Sequence, residues 1–138
     1  MIGYVTVGVD DLALAESFYS AFLPALGYSL EVSSEGLSYS IPVTPDHGYP
    51  PPDFYVKPPF DGQPASTGNG AMVAFDVPNQ AMVRELHAAA VAAGGRNEGA
   101  PGFRAAYSAH FYVGYLRDPQ GNKIALYSDT RNEAGRPD

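Results

Sequence analysis

Three histidines, ten tyrosines and no cysteine set the chemistry this chain can attempt. Without thiols there is no thiolate nucleophile, no disulfide and no sulfur-ligated zinc, so only serine or threonine could serve as a conventional nucleophile. No Gly-x-Ser-x-Gly elbow occurs to expose one. His110 opens the aromatic run His110-Phe111-Tyr112. An imidazole, with a free pKa near ~6.5, suits proton abstraction at neutral pH, and Tyr107 or Tyr112 would be its natural partner. The plainer reading is a strand-end histidine bonded to backbone. His87, beside Leu86 in a helical pattern, reads as the edge of a packed face, and His47 lies in a proline-flanked loop as a solvated residue or a lid. Arg104, close to Tyr107, either meets an anionic ligand or serves as a surface or Asp-paired arginine. Gly94-Gly95 with Gly99 and Gly102 is not a phosphate loop, because the glycines trail a helix and no P-loop lysine follows.

The composition excludes several functions. Of 138 residues, 45% are hydrophobic and 17% charged, which is the balance of a folded globular domain and not of a disordered chain. A formal charge of -7 repels nucleic acid. No stretch approaches the roughly 20 apolar residues of a membrane span, and the N-terminus lacks the basic start and apolar run of a secretory leader, so no membrane partner and a cytoplasmic location are expected.

The elements that would position these groups follow from periodicity. Ile2 to Val9 alternates like a half-buried strand, with Val5, Val7 and Val9 on one face and Tyr4, Thr6 and Gly8 on the other. Asp10-Asp11 then caps a helix carrying Leu12, Ala15, Phe18, Tyr19 and Phe22, ended early by Pro24. Short strands are predicted over 28–32, 37–41 and 53–57, with proline-rich excursions over 42–52 and 58–70. The syntax then restarts: a strand over 71–77, a helix capped by Asn79 and closed by Gly94-Gly95, and a hairpin of 110–117 and 123–127 around the Asp118-Pro119-Gln120-Gly121-Asn122 turn. A shift of 68 positions sets Tyr4 on Met72, Phe18 on Leu86 and Gly27 on Gly95, so the second half repeats the pattern of the first. Residues beyond Ser128 are expected to be loosely held.

The first strand, the helix with Phe18-Tyr19, the Leu26-Gly27-Tyr28 exit, Met72-Val73-Ala74-Phe75 and the Asp118-to-Asn122 turn together resemble the glyoxalase, bleomycin-resistance and extradiol-dioxygenase superfamily, also called the vicinal oxygen chelate fold. The likeness runs from Tyr4 to Tyr127, and the segment 99–104 with Tyr107 is similar to one poorly characterised branch. The resemblance implies an α+β fold in a single domain over 1–138, with two βαβββ modules (about 1–60 and about 70–128). Their sheets would form a half-open barrel around a ligand cavity, helices outside. It also implies a homodimer, with the number of chains per cavity left open.

Metal-using members of that superfamily hold a divalent ion with His and Glu from the first and last strands of each module. Here those positions fall on Tyr4, Met72 and Ala125. A neutral phenol, a soft thioether and a methyl group do not make a site for a hard divalent cation, so no metal and no cofactor is expected. Alternation turns Tyr4, Thr6, Met72, Ala74, Ala125 and Tyr127 inward, opposite Val5, Val7, Val73, Phe75, Ile124 and Leu126. Tyr55, Arg104 and Tyr107 complete the expected ligand-binding set, and His110 sits at the cavity mouth. The expected function is metal-independent binding of a small aromatic or apolar molecule, by sequestration or by acid-base chemistry at Tyr4, His110 and Tyr112. The alternatives are a metal-dependent lyase or dioxygenase with unusual ligands, and a noncatalytic interaction module whose cavity is plugged by Tyr4 and Met72.

Overall fold

Both helices begin where a short polar side chain replaces a missing backbone acceptor. In the computed structural model, which describes every residue except His47, Asp11 accepts from the Leu14 amide at 3.0 Å and Asn79 from the Met82 amide at 2.8 Å. These caps start α1 (Leu12–Tyr19) and α2 (Gln80–Ala92). Pro24 lacks an amide proton, and its ring would strike the carbonyl of Ser20, so regular helix stops at Tyr19 and a 3-10 turn follows at Pro24–Leu26. Gly27, with φ 95°, closes that turn.

The strands are β1 (Tyr4–Gly8), β2 (Ser29–Ser33), β3 (Gly36–Ser40), β4 (Asp53–Lys57), β5 (Val73–Asp76), β6 (Arg96–Phe103), β7 (Tyr112–Arg117) and β8 (Lys123–Ser128). They form two four-stranded sheets ordered β1-β4-β3-β2 and β5-β8-β7-β6. In each sheet the first and last strands of the half pair in parallel and the other pairings are antiparallel. This is two βαβββ modules in an α+β fold, with sheets that stay half-open. Among the described residues no helix is long and apolar enough to cross a membrane.

Two features depart from the sequence reading. β6 is an unexpected strand: Arg-Asn-Glu-Gly-Ala-Pro-Gly-Phe has no alternation, and its register slips between Asn97 and Gly99 and again between Gly99 and Gly102. An edge strand tolerates the proline and the bulges because only one side of its backbone is paired. The chain after Ser128 is docked and not loose. Glu133 accepts from the Gln80 amide at 2.9 Å, and the Arg136 guanidinium donates to the carbonyls of Arg104 and Tyr107, each at 3.0 Å.

The core lies between sheets and helices. In the first sheet the register aligns Val5, Phe54, Tyr39 and Leu30 under α1. Phe75 of β5 meets Phe22, Tyr28 and Phe54 edge-on, with centroids 5.2 to 5.9 Å away, so aromatic packing crosses from one module to the other. Gly95 is required by the same crossing: a Cβ there would sit 2.4 Å from Phe18 Cε1. The Asp118-to-Asn122 turn adds polar links to the first module. Tyr19 donates to Asp118 at 2.6 Å, Asn122 donates to the Gly8 carbonyl, and Gln120 accepts from the Asp10 amide.

Candidate ligand-binding concavity

Because strand side chains alternate, everything opposite the helix-packed rows of the first sheet faces its concave side. Register aligns Thr6, Tyr55, Ser38 and Glu31 across all four strands, and sets Tyr4 beside Asp53 and Gly8 beside Lys57. The resulting hollow of ≈ 350 Å³ is lined by Tyr4, Tyr55, Lys57, Ser33, Glu35 and Ser38, with Gly36 and Leu37 at its floor. Tyr4 is 65% exposed and its ring is tilted against that of Tyr55 at 5.4 Å. The Tyr55 hydroxyl donates to Asp53 at 3.1 Å. That carboxylate, first by the hydrogen bond and then with help from burial, raises the Tyr55 pKa and keeps the phenol neutral.

The second sheet has the same strand order and a different outcome. Ala74, Ala125, Tyr115 and Gly99 share one concave row, and Asp76, Tyr127, Val113 and Gly102 the next. The chain between β6 and β7 folds over both at Tyr115 and Tyr127. Phe111 stacks on Tyr127 at 5.4 Å, Tyr107 meets Phe111 edge-on, and the Arg104 guanidinium lies over Tyr115. Val113 and Ala125 are left 0% and 1% exposed. Burial raises the pKa of Tyr115, with Tyr107 adding to it, and burial followed by Asp76 and Asp129 raises that of Tyr127.

A separate hollow of ≈ 400 Å³ opens between the modules, lined by Ile2, Tyr28, Asp53, Met72, Ala74 and Asp76 among others. Burial, then Asp53, raises the Tyr28 pKa. Met72 is 46% exposed here, so it does not plug a core.

Of the expected site residues, Tyr4, Thr6 and Tyr55 come together. Met72 and Ala74 line the gap between modules, Ala125 is sealed beneath its neighbours, and Tyr127, Arg104 and Tyr107 belong to the filling of the second module. Arg104 donates to the carbonyls of Ala100 and Phe103, and among the described residues it pairs with no aspartate. Tyr112 stands on the helix-facing side of its sheet, 8% exposed, accepting from Arg84 at 3.2 Å, because it has the parity of the core residues Gly114 and Leu116. The His110 ring packs against Gly135 of the docked tail, with Nδ1 buried and meeting no hydrogen-bond partner among the described residues. Tyr4, His110 and Tyr112 therefore do not form one acid-base constellation. His87 is buried on α2, with Nε2 3.0 Å from the Tyr115 carbonyl oxygen. His47 lies outside the described residues.

Ser33, Glu35, Ser38 and Lys57 were missed as lining residues, although alternation in Asp-Phe-Tyr-Val-Lys and Gly-Leu-Ser-Tyr-Ser carries Lys57 and Ser38. With them the first module's lining is hydroxylated and charged, where an apolar and phenolic one was expected. The donor set does not fit the divalent metal of metal-using relatives. Tyr4, Met72 and Ala125 supply no hard anionic ligand, and no group of three or more His, Asp or Glu among the described residues could hold an ion.

No family model matches the chain, and no curated protein sequence does. Solved structures do. A glyoxalase/bleomycin resistance protein from Albidiferax ferrireducens T118 is 35% identical, with 94% of this chain and 99% of that one covered and a TM-score of 0.76. A glyoxalase-related enzyme from Fulvimarina pelagi is 19% identical over 93% of this chain and 87% of that one, TM-score 0.66. Lactoylglutathione lyase from Agrobacterium tumefaciens is 19% identical over 93% and 92%, TM-score 0.57, a likeness of fold.

Proposed function

The chain belongs to the glyoxalase/bleomycin resistance/dioxygenase superfamily, and from that premise we propose that it is a metal-independent binder of a small aromatic molecule, held in the concavity of the first module. The observation that carries the reading is the inequality of the two concave faces. One is covered over Tyr127 by the chain's own Phe111, against which Tyr107 packs, while the other presents Tyr4 and Tyr55 to solvent around ≈ 350 Å³, within the range of ligand clefts. A ring stacking on Tyr4 gains apolar contact on one face, and the hydroxyls of Ser33 and Ser38 offer hydrogen bonds at its edge. Sequestration is favoured over turnover because His110 and Tyr112 lie away from Tyr4.

The test is an NMR screen of small aromatic probes against the ¹⁵N-labelled protein, with elemental analysis of protein purified without chelator. Amide shifts clustering at Tyr4, Ser38, Tyr55 and Lys57, lost in Tyr4→Ala, support the site. Shifts confined to the gap around Met72 overturn it, and about one metal ion per chain overturns metal independence.

A further inference from the structure

We infer that the ligand of this concavity is an aromatic monocarboxylate whose carboxylate is received by Lys57, an inference that rests on the binding reading above. Lys57 is the only lysine or arginine among the first 83 residues. It stands at the end of β4 on the concave side, in the wall that also carries Tyr4 and Tyr55. Its flanks are cleared. Gly8 is its partner on β1, and at Gly36 a Cβ would sit 2.7 Å from Lys57 Cβ and 2.6 Å from the Val56 carbonyl oxygen. The lysine stem therefore has no neighbouring side chain at either position to hold its ammonium.

The fates of the other cations sharpen the contrast. Of the seven, five are engaged: Arg117 pairs with Glu98, Arg104 and Arg136 bond backbone carbonyls, Arg84 bonds Tyr112, and Lys123 lies over Tyr115, while Arg96 and Arg131 stand outside this hollow. Among the described residues Arg117–Glu98 is the one ion pair, so Lys57 has no carboxylate within pairing distance. The charge count sets the class. Glu35 lines the same hollow, so the wall carries one positive and one negative group, and the whole chain is at -7. A dianion such as a phosphate monoester would gain one contact and meet Glu35 and the general field. A single carboxylate matches the single ammonium, leaving its ring for Tyr4.

The experiment compares 4-hydroxybenzoate with 4-hydroxybenzamide, equal in ring and size and different in charge, by NMR titration to about 10 mM. The wild type is expected to bind the carboxylate ~10-fold more tightly, a preference that shrinks with added salt. Lys57→Gln abolishes the preference by weakening 4-hydroxybenzoate more than 4-hydroxybenzamide, Lys57→Arg retains it, and Tyr4→Ala weakens both probes alike. Equal affinity of the wild type for the two probes, or a preference that survives Lys57→Gln, overturns the carboxylate inference while leaving the site intact. Absence of binding by both probes, or binding untouched by Tyr4→Ala, overturns the underlying reading as well.

Discussion

Replacing Asp118 by alanine tests whether the two modules stand or fall together. The carboxylate is 3% exposed and accepts five hydrogen bonds. Three come from the amides of Gln120, Gly121 and Asn122 in its own turn, one from the Asn122 side chain, and one, the shortest at 2.6 Å, from Tyr19 of α1. The turn amides are half-exposed and recover water when the carboxylate is removed, so each loss is small. Tyr19 is 0% exposed and cannot recover water, so its hydroxyl is orphaned at a cost of about 2 kcal/mol. With roughly 0.5 kcal/mol for each of the other four bonds, the substitution costs about 4 kcal/mol. For a chain of this length that lowers Tm by roughly 12 °C. Urea unfolding followed by tyrosine fluorescence and by far-UV circular dichroism should show one transition shifted equally for both probes. In the Tyr19→Phe background the same change should cost about 2 kcal/mol less, because the orphan is gone. A cost below about 1 kcal/mol, an absent coupling, or two separated transitions would refute the claim that this contact ties the modules.

Alkaline pH gives a second test. Burial, and then Asp118, raises the pKa of Tyr19 well above the usual phenol value, and burial raises those of Tyr28 and Tyr39. Above about pH 10 the unfolded chain loses protons that the folded chain keeps, so stability is intact below that pH and falls as pH rises toward the folded values. Urea midpoints measured from pH 8 to 11 should decline, less steeply in Tyr19→Phe, and a flat profile would contradict the burial of these phenols. Gly95→Ala should destabilise by about 2 kcal/mol or more, since the added methyl meets Phe18 at 2.4 Å and the Ala90 carbonyl at 2.8 Å, and calorimetry would reveal a neutral change if the helices were not so close. Arg136→Ala should accelerate amide hydrogen exchange at Tyr107 and Phe111 while leaving β1 and β4 unaffected, and unchanged exchange would mean that the tail does not hold the 104–111 segment.

The parts of the fold that were legible in the sequence are those where one face is buried and the other is not. Val5 and Val7 against Tyr4 and Thr6, or Phe54 and Val56 against Asp53, Tyr55 and Lys57, give the strand period directly, and Asp11 and Asn79 announce the helix starts. β6 was not legible because its register is set by pairing with β7 and its bulges erase the period. The docked tail was not legible either. Arg136 is held by carbonyls that lie 29 and 32 positions back, and a carbonyl leaves no mark on residue type. His110 and Tyr112 were adjacent to the right loop, yet one more step of parity along β7 would have sent Tyr112 to the helix side with Leu116.

The polarity of the site turns on which strands are consulted. β1, β5 and β8 alone give Tyr4, Thr6, Ala74, Ala125 and Tyr127, an apolar and phenolic lining; β2, β3 and β4 add Ser33, Ser38 and Lys57. The two modules therefore share a backbone plan and differ in what their concave rows require. In the second module, Ala125 and Val113 leave an apolar floor that water would cover at a cost, and Phe111 and Tyr107 cover it instead. In the first module hydroxyls and charges line the hollow, and water satisfies them there. A duplicated fold thus keeps one hollow open by making it polar and closes the other by making it apolar. Ligand capture is expected in the face that water can occupy until a better partner arrives.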